Sequence, residues 1–195
     1  MGLIKSALEI AMERAQAVKA DPEALRCDQL QKEGAKLAGK AISGSLDDVK
    51  QALEQFPKQD RSHVQASMLK TLLARIVLPQ NTAALQTLDA VGKVFFSLDE
   101  SCDTIMQQLQ EFCADYLMRK EEIKKQLDEH FLPILRQKEA QIAEKTGQRV
   151  HLTPESVPEI QSAYKEQLHI FEDHYRGGVD QLRWKLSQLM QLHHD

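Results

Sequence analysis

Between Leu98 and Lys145 the chain carries no glycine and a single proline, Pro133. Apolar residues in this run recur at Leu98, Cys102, Ile105, Leu109, Phe112 and Tyr116. The steps alternate between four and three, the rhythm of a helix that buries one seam against another helix. The seam falters at Arg119 and Lys120, then resumes at Ile123, Leu127, Phe131, Ile134 and Ile142. An unbroken helix of that length measures roughly 70 Å at ~1.5 Å per residue. Pro133 lacks a backbone donor and crowds the preceding turn, so it must kink the helix or divide it.

Such a rod needs a partner, and the rest of the sequence supplies one. Gly147-Gln148 opens a connection, and Val150 to Leu152 is the only short stretch with strand character. Thr153-Pro154-Glu155 reads as a helix start, leading to a second seam at Tyr164, Leu168, Phe171, Tyr175, Val179, Leu182, Leu186 and Leu189. Two long helices joined by a short link fold back antiparallel. The spacing around Val179, beside Gly177-Gly178, departs from the heptad as a stutter.

Upstream, five shorter helices are expected. The first covers about 3–19, with Ile4, Ala7, Leu8, Ala11, Ala15 and Val18 on one face. Asp21-Pro22-Glu23 starts a second, about 22–42, which Gly44 ends. Ser45 to Asp48 starts a third that stops at Pro57, and a fourth spans about Arg61 to Leu78, ended by Pro79. Asn81 caps a fifth carrying Leu85, Leu88, Val91, Phe95 and Phe96, and Ser97-Leu98-Asp99-Glu100 has capping-box spacing. The composition agrees: hydrophobic residues reach 42%, glycine and proline are few, and Gln far outnumbers the single Asn. The expected fold is all-α, with a bundle of short helices over 1-96 and a long antiparallel, coiled-coil-like hairpin over 97-195.

The stretch IKSALEIAMERAQAVKADPEALR resembles the start of small uncharacterised helical proteins found in bacteria. The resemblance implies a soluble bacterial protein and no particular site. Met1, Gly2 and Ser6 match a myristoylation pattern, although an ordinary helix start explains them better. Glu9 and Glu13 break any apolar core of a signal peptide, and no segment has the apolar length to span a membrane. The three cysteines, Cys27, Cys102 and Cys113, form no C-x-x-C pair. Two of them fall on the apolar seam, which fits a reducing, cytoplasmic setting. A formal net charge of −4 leaves no broad basic face for nucleic acid.

No motif reaches a catalytic constellation. Gly34 to Ala41 follows G-x-x-x-x-G-K but ends in Ala where a phosphate loop needs Ser or Thr, and no strand precedes it. Its small residues read instead as a surface where another helix approaches closely. Glu166-Gln167-Leu168-His169 has the E-x-x-H spacing of helical di-iron sites, yet it occurs once. Helical geometry turns Glu166, His169 and Asp173 away from the seam. No cofactor or metal is therefore expected. Asp47-Asp48, Asp99-Glu100 and Glu121-Glu122 suit helix starts and charged faces.

One pattern has no place in the hairpin. Ala163, Ile170, Gly177, Trp184 and Gln191 recur every seven residues, opposite the Leu168–Leu189 seam. Either the short N-terminal helices cover this stripe, or it docks a second copy or another helical protein. The resulting reading is a non-enzymatic protein acting by helix–helix association, as a homo-oligomer or with another helical protein. The alternative is a bundle enclosing a small ligand or metal, possibly an enzyme, with Tyr116, Tyr164, Tyr175, His130 and Glu166 as the available inward polar groups.

Overall fold

The computed structural model describes residues 22–46 and 48–191. The expected helix over 3–19, the Met1-Gly2-Ser6 pattern, most of the stretch that carries the family resemblance, and His193-His194 lie outside the described residues. Among the described residues six α-helices follow one another: α1 (Pro22–Ile42), α2 (Val49–Glu54), α3 (Lys58–Ala74), α4 (Thr82–Leu98), α5 (Asp103–Thr146) and α6 (Pro158–Leu189). Two single 3₁₀ turns, Glu100–Cys102 and Pro154–Ser156, precede α5 and α6. No strand occurs among the described residues. The fold is all-α.

The helix ends follow local chemistry. After α1, Gly44 takes φ +69°, and the Ser45 amide donates back to the Lys40 carbonyl at 2.9 Å. That bond closes the helix end in a conformation which costs glycine least. Asp48 caps α2 through the Gln51 amide, and Asn81 caps α4 through the Ala84 amide. The Arg61 guanidinium donates to the carbonyls of Glu54 and Phe56, satisfying the end of α2.

Three boundaries differ from the sequence expectation. First, α3 ends at Ala74, well short of Pro79, while Ile76 remains fully buried in an irregular segment. Secondly, α4 runs through Ser97, whose hydroxyl donates to the Val94 carbonyl; Asp99 is the cap and accepts from the Ser101 amide and hydroxyl. Thirdly, Thr153-Pro154-Glu155 makes only a 3₁₀ turn, and the α-helix begins at Pro158. Val150 to Leu152 is not a strand; the Leu152 amide ties the link to α5 through Glu139.

The main core joins Leu37 and Ala38 of α1 to Val64, Met68, Leu69 and Leu72 of α3. Leu88, Val91, Val94 and Phe95 of α4 complete its upstream side. The same cluster takes Cys102, Met106, Leu109 and Cys113 from the start of the hairpin, with Val179 and Leu186 from its end. At Gly34, α1 comes close to α3. A methyl group on Gly34 would run into the Val64 carbonyl oxygen and sit 2.7 Å from Ser67 Cβ. The low-relief reading of Gly34 to Ala41 therefore holds at Gly34; Gly39 faces open space.

Beyond the main core α5 and α6 pack on each other. Phe131, Leu135, Val157 and Ile160 form a separate cluster, with Leu127, Leu152, Ala163 and Tyr164 against it. Pro133 lies exposed within α5 and does not divide it. Past Phe131 the inward residue is Leu135, 4% exposed, and not the expected Ile134, which is 40% exposed. The faltering point also resolves: Lys120 stays on the seam as a buried lysine.

Candidate interaction surface

Between the two apolar clusters, α5 and α6 meet through aromatic rings and one ion pair. Tyr116 stacks on Phe171 with centroids 5.7 Å apart, and Tyr175 lies 5.3 Å from Tyr116 and 4.9 Å from both Phe112 and Phe171. Gly178 makes room for this cluster, because a side chain there would overlap the Phe112 ring. Lys120 Nζ donates to Glu172 Oε1 at 2.7 Å and to the Tyr116 hydroxyl at 3.0 Å. The Tyr116 hydroxyl in turn donates to Glu172 at 3.3 Å. Burial alone would lower the Lys120 pKa, but Glu172 and Tyr116 outweigh it and hold the ammonium above its ordinary value. The bond from Lys120 keeps the Glu172 carboxyl below its ordinary value.

Nearby, the Tyr175 hydroxyl donates to Asp115 at 2.7 Å. Burial, followed by that bond, pushes the phenol up to about 12. Asp115 also accepts from Arg119, and both bonds keep its carboxyl low. Lys120, Glu172, Asp115 and Arg119 hold their charges, and Tyr175 its proton, more firmly than usual. Burial likewise raises the thiols of Cys102 and Cys113 to about 11, leaving them protonated near neutral pH.

The polar residues considered for a bundle-core site do not converge. Tyr116 and Tyr175 meet in the joint, Tyr164 packs near Phe131 in the distal cluster, and His130 and Glu166 are exposed. His169 of the E-x-x-H pair lies exposed, 3.3 Å from Asp173. Among the described residues no three His, Cys, Asp or Glu side chains are grouped to hold a metal ion.

The heptad stripe on α6 separates into parts. Ala163 is half-buried against the distal cluster. Gln191 lies beyond the helix end with φ 53°. The three central members face outward: Ile170 is 59% exposed, Trp184 58% exposed, and Gly177 has nothing within 4 Å of where a side chain would start. Unlike Gly178, Gly177 relieves no clash within the described chain, yet a glycine in a helix costs about 1 kcal/mol relative to alanine.

Trp184 borders a groove of about 530 Å³, shared by Asp180, Arg183 and Ser187 of α6 with Lys70, Leu73 and Ala74 of α3. Sequence periodicity located the tryptophan. It gave no sign of the groove, because that depends on where α3 ends.

A helical head, a two-helix extension and an outward tryptophan beside a groove define an all-helical protein with a candidate docking face. The chain belongs to a family of unknown function, DUF6657, which matches residues 50–188. No curated protein and no solved structure matches it. No helix among the described residues is long and apolar enough to cross a membrane.

Proposed function

We propose that this protein is a non-enzymatic docking module that associates with another helix through the outer face of α6. The observation that carries this reading is the exposure of Ile170 and Trp184 on one face, seven residues either side of Gly177. Large apolar side chains lose about 1.5–3 kcal/mol of favourable burial when left in water, and Trp is enriched among interface anchors. Gly177 gives a neighbouring backbone room to come close. A reducing, cytoplasmic setting suits the free thiols of Cys27, Cys102 and Cys113.

Trp184→Ala and Ile170→Glu test the reading. Both positions are exposed, so the circular dichroism spectrum should match the parent's and the unfolding free energy should stay within about 0.5 kcal/mol of it. Sedimentation and pull-down should show weakened association. If both variants associate as the parent does, α6 is not the docking face.

A further inference from the structure

We infer that the partner of the α6 face is a second copy of this chain, laid antiparallel about a two-fold axis at Gly177-Gly178. The inference rests on the docking reading above and specifies what docks. Three features agree on it. Ile170 and Trp184 are equidistant from Gly177, so antiparallel pairing sets the Ile170 of each copy over the Trp184 of the other. The groove beside Trp184, walled by Leu73 and Ala74, then receives the partner's Ile170.

Charge is the second feature. Asp173, Arg176, Asp180 and Arg183 alternate in sign along one flank of the stripe, paired within the helix as Asp173–Arg176 and Asp180–Arg183. A two-fold axis perpendicular to the helix pair keeps this flank on the same side in both copies. About an axis midway between Gly177 and Gly178, antiparallel pairing brings Asp173 to within one residue of the level of Arg183, and Arg176 to within one residue of the level of Asp180. A parallel pair in register sets like charge on like, which is unfavourable. The third feature is the groove's rim. Lys70 and Arg183 put two positive charges on it against the single negative charge of Asp180, while Glu166 and Asp173, one turn either side of Ile170, are acidic. The acidic flank of the knob meets the basic rim of the groove at both ends. A closed dimer results, because each copy gives one knob and one groove.

The test uses the full chain with Cys27→Ser, which removes the exposed native thiol. Gly177→Cys, Ile170→Cys and Trp184→Cys are added singly and treated with a short bis-maleimide, each at a concentration where sedimentation shows that variant to be dimeric. The Gly177→Cys protein should cross-link to itself. The Ile170→Cys and Trp184→Cys proteins should each fail to self-link, because their copies lie about 21 Å apart along the axis, and should link when mixed. Sedimentation should give a dimer whose dissociation constant rises about 30-fold or more in Trp184→Ala, as for an anchor residue.

Self-linking at all three positions means a parallel pair and overturns the inference. A chain that stays monomeric at every concentration also overturns it. If that monomer still binds another helical protein in a Trp184-dependent way, only the second copy is wrong and the docking reading stands. If Trp184→Ala changes no association at all, both fail.

Discussion

Gly34 and Gly39 sit in the same helix, five residues apart, with opposite surroundings. At Gly39 an alanine meets nothing within 4 Å, so the variant should gain the helix-propensity difference, about 0.5–1 kcal/mol. At Gly34 the same methyl meets the Val64 carbonyl and the backbone amide of Met68 at 2.9 Å. Backbone cannot swing aside as a flexible side chain can, so α1 and α3 must separate. Overpacking of that kind costs about 1–3 kcal/mol, more than the propensity gain. Urea denaturation should therefore find Gly39→Ala more stable than the parent and Gly34→Ala less stable. Two changes of the same sign would mean that α1 does not cross α3 at Gly34. The sequence carried the small-residue surface, but it could not say which glycine touches a neighbour, since that depends on the path of α3. Lys120 shows the converse. Its charge reads as a gap in the seam, yet its stem continues the seam while Glu172 and Tyr116 satisfy its ammonium.

At the level of elements, α5 continues through a proline that should break it. A proline inside a helix costs up to about 3 kcal/mol, partly through the lost donor to the carbonyl four residues earlier. That residue, Glu129, is exposed, so water can satisfy its carbonyl, and Pro133 itself faces solvent. The cluster around Phe131 and Leu135 holds both sides of the proline against α6. Pro133→Ala should restore the missing bond and stabilise the hairpin by about 1–3 kcal/mol. Amide exchange between Leu127 and Lys138 would slow accordingly. Unchanged or faster exchange there would show that the proline is needed for packing. Periodicity made both long helices and their antiparallel pairing legible. It failed at Ile134 because a step of three was taken after Phe131, where the structure takes a further step of four to Leu135. Helix ends were the least legible feature. Pro79 and Thr153 are strong local signals, but the burial of Ile76 and the anchoring of Leu152 to Glu139 decide where the helices stop and start.

Across the whole molecule, two apolar clusters are joined by a charged and aromatic middle, so head and extension are coupled through groups that titrate. Glu172 has its pKa lowered from the ordinary 4.5 by Lys120, and Lys120 has its own raised from 10.5. A lowered carboxylate contributes stability that is present above 4.5 and lost as pH falls through the folded value. A raised lysine contributes stability that is present below 10.5 and lost as pH climbs through its folded value. The pair should therefore give a plateau between those limits and weaken the joint on both sides of it. Glu172→Gln removes the acid's share of this dependence. It also leaves Lys120, whose side chain is 10% exposed, without its counter-charge. Losing one partner of a buried pair costs about 3–5 kcal/mol, and the 27% exposure of the Glu172 side chain moderates that to about 1–3 kcal/mol near neutral pH. Thermal melts of parent and variant should differ most near neutrality and converge as the pH falls below 4.5 through the folded value of Glu172, where the parent's carboxylate also takes up a proton. A constant difference across the range would mean that the carboxylate contributes shape and not charge. The joint lies on the inner side of α6, opposite Ile170 and Trp184. Acid should therefore loosen the joint without first disturbing the exposed tryptophan, and Trp184 fluorescence should change later in the titration than exchange at Tyr116 and Lys120.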